Sequence, residues 1–135
     1  MRTIKILLIF LILAGMGFAE EAAKKIYTAT VDTDGIQRVK VSGGEYFFDP
    51  NYIILKVNVP VELVIRKEPT IVPHNIIINA PEAGIDIREN FGKNPKLIKF
   101  TPKKTGKYPF YCDKRFLFFK THKEKGMEGM IEVIE

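Results

Sequence analysis

Through the middle of the chain, apolar and polar side chains alternate with period two. Ile53, Leu55, Val57 and Val59 fall to one side while Lys56 and Asn58 take the other, and Val61, Leu63 and Ile65 oppose Glu62 and Arg66. That rhythm marks half-buried strands. Further strands are predicted at residues 37–41, 74–79, 97–101, 107–112 and 129–134, with a weaker edge strand at 26–31. Between them lie turn formers: Asp32-Thr33-Asp34-Gly35, Ser42-Gly43-Gly44, Asp49-Pro50-Asn51 and Pro60. Residues 80–95 contain Pro81, Gly84, Gly92 and Pro95 and read as a long connection across a sandwich. About seven short strands with no long amphipathic helix predict an all-β fold, a Greek-key antiparallel β-sandwich or barrel.

The first 19 residues follow another rule. Arg2 and Lys5 precede 14 uncharged residues, Ile6 to Ala19, that end in Gly17-Phe18-Ala19. A basic start, a short apolar stretch and small residues before the cut describe a secretory signal peptide, whereas a bilayer span needs about 20 apolar residues. Cleavage is expected after Ala19, leaving residues 20–135 as one domain in the periplasm or outside the cell, with no membrane span in the mature form. The whole chain carries a formal charge of +5, and without Arg2 and Lys5 it is only mildly basic. No Lys/Arg stripe with interleaved aromatics is present, so a nucleic-acid partner is not expected.

Candidate chemistry concentrates in residues 111–130, YCDKRFLFFKTHKEKGMEGM, which hold the single cysteine, Cys112, together with His122, Met127 and Met130. The other histidine, His74, lies upstream in Val72-Pro73-His74-Asn75. A lone cysteine in an exported chain cannot form an internal disulfide, so it is a free thiol or a ligand. A thiolate and a thioether favour Cu(I), and imidazole serves both copper oxidation states. Two His and one Cys with a long Met contact make a blue-copper electron-transfer centre. Zinc fits Cys112, His74 and His122, but a zinc site has no use for the Met. A thiol nucleophile at Cys112 lacks any accompanying Gly-rich or oxyanion-hole pattern.

The chain resembles the cupredoxins, the small blue copper proteins, in two places. Pro73-His74-Asn75 with the apolar run after it is similar to the plastocyanin segment that carries the first His ligand. His122, a four-residue gap, Met127 and Gly129 are similar to the plastocyanin His, Met and following Gly. The gap of nine residues between Cys112 and His122 is far longer than in plastocyanin-like proteins and close to that of the type 1 copper domain of copper nitrite reductases. The resemblance implies one type 1 copper ion, with His74, Cys112 and His122 as equatorial ligands and Met127 as the axial one. It also implies that Asn75 ties the ligand loops together.

Met130 competes for the axial place, but Ile131 and Val133 read as the core face of the last strand, which puts Met130 on the other side. The run Phe116-Leu117-Phe118-Phe119 either packs inward to exclude water or faces a partner, and inward packing is the expectation, since exposed aromatics invite aggregation. The resulting expectation is an exported carrier of single electrons between redox partner proteins, not an enzyme, with no small-molecule substrate. A copper-delivery module or an accessory subunit of a larger redox complex is the alternative.

Overall fold

The alternation resolves into strands in the computed structural model, which describes residues 23–135. Ten strands follow in order: β1 (Ile26–Thr28), β2 (Gln37–Gly43), β3 (Phe48–Asp49), β4 (Tyr52–Lys56), β5 (Val61–Lys67), β6 (His74–Ala80), β7 (Ile85–Phe91), β8 (Lys96–Phe100), β9 (Gly106–Tyr111) and β10 (Glu128–Ile134). A short 3-10 turn at Pro81–Ala83 is the one helical element among the described residues. The expected leader and its cleavage site lie outside those residues.

The strands form two sheets, one ordered β1-β4-β10-β9-β6-β7 and the other β3-β2-β5-β8. Their inner faces supply the core. Along β5, Val61, Leu63 and Ile65 are buried while Glu62 and Val64 are partly exposed and Arg66 is out in solvent, as the alternation requires. Ile53 and Leu55 of β4 and Ile131 and Val133 of β10 close the core from the other sheet. Each such side chain stabilises the fold by about 1.5–3 kcal/mol relative to exposure.

The sandwich is as expected, but three features differ. There are ten strands rather than about seven: the weak edge strand expected at 26–31 is present as the three-residue β1, β3 is too short to show a period, and β7 lies within the stretch that reads as a long connection. Residues 85–91 are a seven-residue strand hydrogen-bonded antiparallel to β6 along its whole length, with the 3-10 turn and Gly84 (φ 73°) reversing the chain. Ile85, Ile87 and Phe91 point inward, so the alternation is present between flanking Gly and Pro residues that mask it. Finally, the sheets are mixed. β1 and β10 both pair with β4 in parallel, and β2 pairs with β5 in parallel. Side-chain alternation is the same in parallel and antiparallel strands, so the pattern carries no direction; only a tight hairpin forces antiparallel pairing.

Three neighbouring strands place the candidate ligands. β6 pairs antiparallel with β9, and β9 with β10. The first residue of β6, the residue after β9 and the residue before β10 therefore meet at one end of the sandwich. These are His74, Cys112 and Met127.

Candidate metal centre

The site is built on the β9–β10 connection. The Cys112 N–H donates to Met127 O at 3.2 Å, which closes the hairpin and fixes where the thiol leaves the sheet. Inside the loop, the His122 N–H donates to Lys114 O (2.8 Å), that of Lys123 to Cys112 O (2.9 Å) and that of Met127 to His122 O (2.8 Å). These bonds fold the long insert back on itself. They carry His122 to the level of Cys112 despite the nine intervening residues.

His74, Cys112 and His122 are all buried, and one ligand atom from each lies within 4.8 Å of the others. The two Nδ1 atoms are 3.2 Å apart, and Cys112 Sγ is 3.4 Å from His122 Nδ1. Donors on a common ion stand about 3–4 Å apart, given metal–N and metal–S bonds of about 2.0–2.3 Å. The set therefore fits one metal ion. Nε2 of each ring is buried with no hydrogen-bond partner among the described residues.

Burial governs the protonation of all three. It lowers the pKa of His74 to about 4, with the neighbouring His122 and Lys67 adding to the effect. His122 is lowered by burial and then by Lys125. Both imidazoles are neutral near pH 7, with lone pairs free for a metal. Burial pushes the Cys112 thiol up, and the Asn75 N–H, at 3.4 Å from Sγ, only partly offsets it. A thiolate there needs a metal cation to hold it.

Asn75 links the two segments, as anticipated. Its side-chain amide donates to Asp113 Oδ1 (2.7 Å), and its Oδ1 accepts from the Asp113 N–H (3.1 Å). Arg88 on β7 extends this link by an ion pair to Asp113 Oδ2 at 2.9 Å, which is the main reason that carboxyl sits below the usual range. Aromatic rings wall the pair of histidines. Phe91 stacks on His74 at 5.8 Å between centroids, and Tyr46 meets His122 edge-on at 5.1 Å. Tyr46, Arg88 and Phe91 were not identified in the sequence. Tyr46 reaches His122 through a turn with φ of 61°, and Arg88 and Phe91 lie on the strand hidden among glycines and prolines.

Met127 is fully buried, whereas Met130 is partly exposed on the outer face of β10 beside Pro109 and Tyr52. The apolar quartet corrects an expectation. Phe116, Leu117, Phe118 and Phe119 all face solvent, Phe118 at 87% exposure.

No family model matches the chain, and no curated protein matches it by sequence. Solved structures do match by shape. The metal-binding domain of the Cu(I)-exporting P-type ATPase CopA of Streptococcus pneumoniae D39, solved with Cu(I), is 25% identical, with a TM-score of 0.62 over 84% of this chain and 99% of that one. Auracyanin of Roseiflexus castenholzii is 18% identical, with a TM-score of 0.57 over 73% and 97% of the two chains. The periplasmic domain of subunit II of cytochrome oxidase (CoxB) of Bradyrhizobium japonicum is 14% identical, with a TM-score of 0.56 over 73% and 83%. This chain has the cupredoxin fold. The chain carries its His-Cys-His cluster at one end of this sandwich, and that cluster fits a type 1 copper site.

Proposed function

We propose that this cupredoxin holds one copper ion through His74, Cys112, His122 and Met127 and carries single electrons between redox partners outside the cytoplasm. The convergence of two buried, neutral imidazoles and one buried thiol at a shared point carries the reading. Bound there, copper would supply a one-electron Cu(II)/Cu(I) couple. The protein's part is to keep the donors still. Asn75 and Asp113 clamp the β6 and β9 ends together, Phe91 and Tyr46 fix the imidazole planes, and the Cys112–Met127 bond pins the hairpin. Ligands that hardly move between oxidation states favour fast transfer. A closed, aromatic-walled set leaves no position for a substrate, which supports a carrier rather than an enzyme.

Copper delivery is the second reading, favoured by the similarity to the CopA metal-binding domain solved with Cu(I). Burial of all three ligands argues for retention over exchange. Loading purified protein with Cu(II) and recording visible and paramagnetic resonance spectra separates the two. Intense thiolate-to-copper absorption with narrow hyperfine splitting, lost in Cys112→Ser, supports the carrier. Weak absorption with rapid loss of copper to a chelator supports delivery.

A further inference from the structure

The insert between Cys112 and His122 builds a surface that the metal site does not use. Phe116, Leu117, Phe118 and Phe119 project from it, and Ile71 on the facing segment is 99% exposed. Phe116, Phe119 and Ile71 join Tyr46, Val72 and Lys125 around an open cleft of about 270 Å³. Among the described residues the aromatic rings of the quartet stack only on one another, Phe116 on Phe119 at 6.2 Å and Phe118 on Phe119 at 5.2 Å. A contiguous exposed patch of this kind marks an interaction site.

Charge decides the occupant. Residues 113–125 hold five cations (Lys114, Arg115, Lys120, Lys123 and Lys125) against two acids. Both acids are engaged within the protein, Asp113 by Arg88 and Asn75, and Glu124 by Thr121. Lys114 and Arg115 precede the apolar quartet directly and Lys120 follows it directly, so an apolar tip is flanked on each side by positive charge. An apolar tip with a basic collar is the composition of a segment that enters the headgroup–acyl boundary of an anionic lipid layer. A fluid layer accepts protruding side chains without a matching socket, whereas a protein partner must supply a packed pocket for each.

We propose that this loop docks the protein on anionic membrane surfaces, with Phe116–Phe119 in the acyl boundary and the flanking cations on lipid phosphates. No helix among the described residues is long and apolar enough to cross a bilayer; the proposed contact is made by the loop. It goes beyond the copper reading and does not depend on it. Because Tyr46 lines the cleft and also touches His122, docking turns the metal cluster toward the membrane.

The chain has no tryptophan, so Phe118→Trp in the full-length protein places a single reporter at the tip. Every variant shares the same N-terminal segment, so differences between variants report the loop. With vesicles of phosphatidylcholine and phosphatidylglycerol, emission shifts to the blue and is quenched by brominated acyl chains; with phosphatidylcholine alone the effect is much weaker. Adding Arg115→Gln and Lys120→Gln weakens the partition about 25-fold, at about fivefold per cation. Leu117→Trp serves as a second reporter. Emission that stays water-like at both positions on anionic vesicles overturns the proposal. So does a blue shift that follows protein concentration without lipid, which assigns the patch to a second copy of the chain.

Discussion

Holding His74 neutral in the buried site should make the metal-free fold acid-sensitive in a way that a single substitution isolates. The pKa of His74 is about 4 in the folded protein, against an ordinary value of 6.5. Between those values the unfolded chain takes up a proton that the folded chain refuses, so acid favours unfolding. The stability contribution is therefore complete above pH 6.5 and declines as the pH falls toward 4. At about 1.4 kcal/mol per pH unit, the loss reaches about 3 kcal/mol at pH 4. That is a large part of the ~5–15 kcal/mol that holds a domain together. Urea unfolding with chelator present measures it, since a loss of about 3 kcal/mol moves the midpoint by about 1.5 M for an m-value near 2 kcal/mol per M. Ion-paired carboxylates such as Asp34 and Asp113 add their own acid loss, so wild type is compared with His74→Leu, which keeps them. The variant should lose about 3 kcal/mol less between pH 7 and pH 4. Parallel pH profiles for the two proteins would refute the reasoning, because they would mean that the buried imidazole does not control the acid limb.

Asn75→Ala removes both side-chain hydrogen bonds to Asp113 and should cost about 1–3 kcal/mol in chemical denaturation; copper loss to a competing chelator should quicken as well. Gly43→Ala places a Cβ 2.5 Å from the Phe91 ring and 3.3 Å from Met127 Cε. Since Phe91 stacks on His74, the variant should lose about 1–3 kcal/mol to overpacking, and its copper spectrum should change with it. Met127→Leu should raise the reduction potential in voltammetry by removing the axial thioether, while Met130→Leu, on the outer face of β10, should leave it unchanged.

The fold class and the clustering of His74, Cys112 and His122 were both legible in the sequence, for different reasons. Period-two alternation survives in any strand long enough to show it, so β2, β5, β6, β8, β9 and β10 fall within a residue or two of their predicted places, whereas β4 stops at Lys56, and Val57 and Val59, read as continuing its inner face, lie in a turn where Asn58 has φ 61°. Rare residue types marked the site, because with one Cys and two His in the whole chain few sets were possible. Pairing direction was not legible, since alternation is blind to it. Nor were the partners of the ligands. Arg88 and Phe91 reach the site from a strand that Gly84 and Gly92 disguised as loop, and Tyr46 reaches it from a turn whose positive φ no local pattern announces. The direction of the Phe116–Phe119 run, which faces solvent, is set by tertiary packing that no local pattern in the insert announces.

The long ligand loop separates two tasks that a short one must combine. In a tight Cys–His loop the residues between the ligands also set ligand geometry, which limits how far they can vary. Here the cluster is fixed from outside residues 115–120: the β9 and β10 strands position Cys112 and Met127, β6 positions His74, and Lys114 O and Cys112 O anchor the stretch around His122. Residues 115–120 touch none of the three clustered ligands through a hydrogen bond. They are free to carry an exposed apolar, basic-flanked surface without disturbing the metal cluster beneath. Shortening the insert to remove Phe116–Phe119 while keeping Lys114 and Thr121 would then leave the copper spectrum largely intact and abolish lipid docking, whereas a loop that also held the ligands in place could not lose them without losing the site.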